Sequence, residues 1–156
     1  MTGGSITFGG TVAGGGRDLQ IVNSGIVRFN STVSAIGRLS LTGGGNAQIS
    51  GAVSAGSVLN NEKTALGANV TTTGEQTYTE SITLNSAVVM TGTALIFSAI
   101  AGNDHNLTFT NSAGLTLNGQ VTGVNDLVAN GSGTLTVNAA IAAGSFTDSE
   151  PTVLNG

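Results

Sequence analysis

Apolar positions recur along this chain with a period near 20. Phe8, Phe29, Ile49, Tyr78, Phe97, Leu117 and Val137 stand at successive intervals of 21, 20, 29, 19, 20 and 20. Four positions after each stands a branched apolar residue: Val12, Val33, Val53, Ile82, Val121 and Ile141, with Ile100 three positions after Phe97. A second column, Leu19, Leu39, Leu59, Val88, Leu107 and Leu127, falls about half a period later, often with an apolar partner two positions on (Ile21, Leu41, Met90, Phe109). Alternation at period two predicts strands. Between these runs lie "AGGG", "NSG", "TGGG", "AGND", "NSAG" and "NGSG", whose Gly, Asn and Ser supply turns.

A repeat of about 20 residues cannot bury its own apolar side, but copies stacked as successive coils share one core and pair backbone to backbone along the axis. The expected fold class is therefore all-β, a β-solenoid of about seven turns of roughly 20 residues, on the order of 34 Å long at about 4.8 Å per turn. Residues 1–156 read as one repeat domain, expected to be a segment of a longer array. The one long interval, 29, predicts an irregular, exposed insertion at residues 60–74 containing Glu62 and the only Lys, a candidate recognition loop or a tolerated insertion. Phe8 and Phe29, and Tyr78 and Phe97, are expected to stack in two pairs. Asp18 should lie beside Arg38, and Val12, Val33, Val53, Ile82, Ile100, Val121 and Ile141 should form one buried column.

Composition sharpens this picture. The chain has 25 Gly, 8% charged and 4% aromatic residues and no Cys, so aliphatic side chains must supply a narrow core without disulfides. A net charge of -4 with four basic residues, Arg17, Arg28, Arg38 and Lys63, argues against a nucleic-acid partner. No apolar run reaches the length of a membrane helix, so no membrane span is predicted.

Candidate chemistry is sparse. His105 lies in "AGNDHNL", a solvated turn, and the acids Asp18, Glu62, Glu75, Glu80, Asp104, Asp126, Asp148 and Glu150 are scattered rather than convergent. The glycines form no phosphate loop, and the turns lack the regular Asp of calcium-binding nonapeptides. No catalytic, cofactor-binding or metal-ligating residue is predicted, and the chain is expected not to be an enzyme. Thr-x-Thr pairs (Thr71/Thr73, Thr77/Thr79, Thr91/Thr93, Thr108/Thr110, Thr134/Thr136) raise an ice-binding face as a distant reading, but they fall on different strand positions. The sequons at Asn30, Asn69, Asn106 and Asn130 carry no assigned role.

The blocks "ITFGGTVAGGGRDLQIVNSG", "VTTTGEQTYTESITL" and "LTLNGQVTGVNDLVANGSGTLTVNAAI" resemble the repeats of large bacterial surface proteins of the filamentous-haemagglutinin type. The resemblance spans nearly the whole chain. It implies a right-handed parallel β-helix, export by a two-partner or autotransporter route, an extracellular or cell-surface location, and a structural or adhesive role. The expected partners are further repeats or other copies stacked end to end, with a host or surface glycan or protein as a further candidate. Because polysaccharide-cleaving enzymes also use parallel β-helices, a carbohydrate-binding or carbohydrate-cleaving β-helix is the alternative reading. With no amphipathic helix before Ser5, the N-terminal end is expected to be open and sticky, while Pro151, Asp148 and Glu150 blunt the other end as a weak cap.

Overall fold

A computed structural model describes residues 1–155. They form a parallel β-solenoid of about eight coils of about 19 residues, without helix among the described residues. Seventeen strands, β1 (Thr2–Gly3) to β17 (Thr152–Leu154), join in one continuous parallel sheet that coils back on itself. Each coil passes through three strand positions, and each position stacks on its equivalent one coil away.

The register identifies the inward columns. On the first ladder, Ile6, Val27, Ala47, Thr64, Ile82, Ile100, Val121 and Ile141 are successive partners, one from each coil. The second carries Val12, Val33, Val53, Val70, Met90, Phe109, Ala129 and Asp148. On the third, Leu19, Leu39, Val58, Gln76, Leu95, Leu115 and Leu135 run beside Ile21, Leu41, Asn60, Tyr78, Phe97, Leu117 and Val137. Strand alternation turns these side chains inward, where aliphatic residues and a few aromatics form one long core.

Three expectations are corrected by this register. The segment 60–74 is no insertion: it supplies β8 (Lys63–Leu66) and β9 (Val70–Thr72), which pair with the coils on both sides. It is an additional coil, so the count is about eight rather than seven. The periodic column read from the sequence also joins two ladders. Phe8, Phe29 and Ile49 continue to Leu66 and Leu84, whereas Tyr78 and Phe97 follow Ile21, Leu41 and Asn60. Val12, Val33 and Val53 likewise belong to a different column from Ile82, Ile100, Val121 and Ile141. The cause is chemical: Asn60, Thr64 and Gln76 occupy inward positions, so the hydrophobic signal vanishes where the register should be counted.

The two aromatic pairs form as expected. Phe8 stacks on Phe29 with ring centroids 5.0 Å apart, and Tyr78 on Phe97 at 5.2 Å. Phe97 also meets Phe109 at 5.0 Å in a tilted arrangement. Asp18 lies beside Arg38, although its Oδ1 accepts the Arg38 backbone N–H at 2.8 Å.

Candidate functional site

Two parts of the molecule carry unusual chemistry: its ends and two polar corners inside the rod. At the N-terminal end, among the described residues, β1 is paired only with β3, and β2 (Ile6–Phe8) only with β4. Ile6, Phe8, Val12 and Leu19 remain partly exposed there, packed on one side only. At the other end, among the described residues, β16 (Ile141–Asp148) pairs only with β14 and β17 only with β15, and Phe146 and Leu154 are 44% and 72% exposed. The chain enters on the third ladder at Thr2–Gly3 and leaves on the third ladder at Thr152–Leu154. Both open edges therefore form the same helical step.

Corner side chains reinforce the axial stacking. Asn138 Nδ2 donates to Asn118 Oδ1 at 2.8 Å, and Asn155 Nδ2 donates to Asn138 Oδ1 at 2.8 Å, an asparagine ladder that runs to the C-terminal end. Arg28 Nε donates to Gln48 Oε1 at 3.1 Å, and Ser145 Oγ to Asp126 Oδ1 at 2.8 Å. These bonds join groups about one coil apart, repeating on the surface what the backbone does beneath.

The two polar corners share one design, which sequence reasoning missed. In "NNEKT" and "DSEPT" an Asx is followed by Glu two positions later and by Thr two further on. Asn60 Oδ1 accepts the Glu62 backbone N–H at 3.0 Å, and Asp148 Oδ1 accepts that of Glu150 at 2.9 Å. The hydroxyls of Thr64 and Thr152 donate to the Glu62 and Glu150 carbonyls. With their backbones pinned this way, both Glu side chains turn inward: Glu62 is 1% exposed and Glu150 8%. The sequence pattern predicts Glu62 in an exposed loop and Glu150 in a weak cap; the Asx turn overrides both expectations.

Each Glu reaches past a glycine toward an Asn two coils away, with the same spacing: Asn23, Gly43, Glu62 and Asn111, Gly131, Glu150. The glycines are needed for space, since a Cβ on Gly131 would collide with Asn111 Oδ1 and one on Gly43 with the Asn23 carbonyl oxygen. In the second corner Asn111 Nδ2 donates to Glu150 Oε1 at 2.9 Å and to Oε2 at 3.0 Å. In the first, Asn23 Nδ2 is taken by the Gly25 carbonyl at 3.0 Å, and neither Glu62 oxygen nor Asn23 Oδ1 has a hydrogen-bond partner among the described residues. Burial pushes the Glu62 carboxyl above its usual range, eased by the Asn23 amide, which is near it but outside hydrogen-bonding geometry.

The remaining candidates do not converge. His105 lies half-buried on β13 (Ile100–Leu117), in register with Val124, rather than in a free turn. Asp18, Glu75, Glu80 and Asp104 are all exposed, and Glu75 and Glu80 merely flank the short strand β10 (Gln76–Tyr78). Only Thr71, Thr91 and Thr110 of the Thr-x-Thr set share one register, over three coils; Thr116 and Thr136 align on another ladder. An open cleft of about 390 Å³ is lined by Asp18, Gln20, Arg38, Ser40, Thr42 and Leu59.

The fold and its edges thus define a class, a parallel β-solenoid segment whose terminal strands, among the described residues, are paired on one side only. Comparison with family models, curated proteins and solved structures finds no match to the chain.

Proposed function

We propose that this chain is a non-catalytic structural rod segment of an extracellular or bacterial cell-surface protein, lengthened along its axis by further coils. The observation that carries this reading is the pair of matching open steps. Because entry and exit share the third ladder, Thr2–Gly3 of a following unit continue the coil where Thr152–Leu154 end it, and Ile6–Phe8 then lie over the first-ladder residues of β16. Added coils would pair the free N–H and C=O groups and cover Phe146, Val153 and Leu154. Those coils belong to the same polypeptide or to another copy. An adhesive role rests on the resemblance of the repeats to filamentous-haemagglutinin-type proteins and on the polar outer faces.

Sedimentation velocity across a concentration series, with electron microscopy of the concentrated sample, tests the axial contact. Filaments one rod wide are expected, and they should be lost in Phe146→Lys/Leu154→Lys. A monomer at all concentrations, or side-by-side sheets, would refute stacking. Turnover of a polysaccharide panel, with loss of activity in an Asp18→Asn variant, would instead establish the carbohydrate-cleaving alternative.

A further inference from the structure

Because each coil stacks only on its neighbours, position in the sequence is also height along the rod, and a charge imbalance along the chain is an imbalance along the axis. Residues 1–61 hold Arg17, Arg28 and Arg38 against Asp18, a surplus of two positive charges. Residues 62–156 hold Lys63 against the other seven acids, a surplus of six negative charges. The three arginines lie in the first two full coils, on β3 (Val12–Asn23), β4 (Ile26–Phe29) and β5 (Val33–Thr42). The last two coils, from Val121 on, hold Asp126, Asp148 and Glu150 and no basic residue.

Local bonding leaves these charges uncancelled. Asp18 Oδ1 accepts the Arg38 backbone N–H, and Arg28 Nε donates to the neutral Gln48 side chain. Asp126 accepts from the Ser145 hydroxyl and Glu150 from the Asn111 amide, neutral donors both. Arg17 and Arg38 are exposed, and Asp126 and Asp148 half-buried. One end of the rod therefore carries a positive field and the other a negative one, each set of charges within about 10 Å of its open edge at about 4.8 Å per coil.

Resting on the axial stacking above, we propose that the partner at each open edge is a second copy of this chain in head-to-tail order, selected by this charge polarity. Backbone edges alone do not set a direction, since strands join in parallel or antiparallel ladders. Nor do the apolar residues at the two ends, Ile6 and Phe8 at one and Phe146, Val153 and Leu154 at the other, whose attraction is non-directional. Charge decides: head-to-tail contact sets the arginine-bearing coils against the acidic ones, whereas head-to-head and tail-to-tail contacts bring like charges together. Complementary fields of this kind raise association rates by about 10- to 1000-fold and lose the effect as salt screens them. A purely apolar contact is left unchanged by salt or strengthened by it.

The test is the rate of filament growth, followed by light scattering and electron microscopy, from about 0.01 M to about 0.15 M NaCl, over which the Debye length shrinks from about 30 Å to about 8 Å. The native rate should fall by about tenfold or more. Arg17→Glu/Arg38→Glu reverses the positive end; alone it should not elongate at low salt, and growth should return as salt rises. Because its acidic end is native, a small fraction of this variant should also cap and shorten native filaments. A native rate indifferent to salt, or rising with it, would overturn the proposal and leave axial stacking in place. Elongation of the reversed variant at the native rate in low salt would do the same. If that variant fails to fold, the native salt series decides alone. No filaments at any salt would reject axial stacking and this proposal together.

Discussion

Removing the ring of Phe97 should do more damage than any other single truncation in the rod. The side chain is fully buried, stacks on Tyr78 at 5.2 Å with a 12° interplanar angle, and meets Phe109 at 5.0 Å. Phe97→Ala in a close-packed core costs about 3–5 kcal/mol through lost transfer energy and the cavity left behind. Two aromatic contacts, each worth about 0.5–1.5 kcal/mol, place this case at the upper end. Set against a total of about 5–15 kcal/mol for an ordinary domain, one substitution consumes much of the stability. The loss is also local, because each coil touches only its neighbours. The coils before Tyr78 and after Phe97 should then unfold less cooperatively, with a lower denaturant slope. Urea unfolding followed by far-ultraviolet circular dichroism and by Tyr78 fluorescence, the only Tyr in a chain without Trp, reads both effects. Phe97→Leu should retain most of the stability. A loss under about 1 kcal/mol with an unchanged slope would show that the aromatic column is not a continuous part of the core.

Val121, fully buried between Ile100 and Ile141, should not accept a charge; Val121→Asp is expected to abolish the β-sheet circular dichroism signal, and native melting would refute its placement. Gly131→Ala drives a Cβ onto Asn111 Oδ1 and breaks the bonds to Glu150, so hydrogen exchange should rise selectively in residues 141–154; uniform exchange along the chain would contradict the clamp. Burial raises the Tyr78 hydroxyl above its ordinary value near 10. The folded state therefore holds that proton while the unfolded chain releases it, and stability should fall as pH climbs above about 10. Phenolate absorbance appearing before unfolding would refute the burial, and Tyr78→Phe should lose that part of the pH slope.

The solenoid class was legible because period-two strands, glycine turns and a period near 20 survive in most coils. The pairs Phe8–Phe29 and Tyr78–Phe97 were legible for the same reason, since each pair lies within a regular stretch. Register failed between Ile49 and Tyr78, where Asn60, Thr64 and Gln76 replace apolar residues on the inner face. The coils also shorten there, the first ladder stepping from Ala47 to Thr64 and from Thr64 to Ile82. A pattern rule that equates inward with apolar has no signal in such a stretch. The Asn–Gly–Glu clamps were hidden differently. Their Asn and Glu lie two coils apart in sequence, and only the three-dimensional stacking puts them in one corner. The repeated Asx-x-Glu-x-Thr spacing in "NNEKT" and "DSEPT" was the available local sign.

The polar interior has a further consequence for how such a stack selects one register. Apolar columns of Val, Ile and Leu tolerate a slip by one coil at little energetic loss, because each coil offers its neighbour nearly the same surface. Gln76 breaks that degeneracy. Its Nε2 donates to the Thr91 carbonyl at 2.7 Å and to the Val70 carbonyl at 3.3 Å, while Oε1 accepts from the Tyr78 hydroxyl at 3.3 Å. No other coil among the described residues presents that set of partners. Gln76→Leu matches its column neighbours Val58 and Leu95, gaining roughly 1.5–3 kcal/mol of burial. It strips partners from buried polar groups at a similar loss of about 1–3 kcal/mol each. With three partner groups affected, the loss exceeds the gain, so stability should fall modestly while uniqueness declines, giving doubled or broadened amide resonances between Asn60 and Thr93. A single sharp set of resonances in that variant would show that apolar packing and coil length alone set the register.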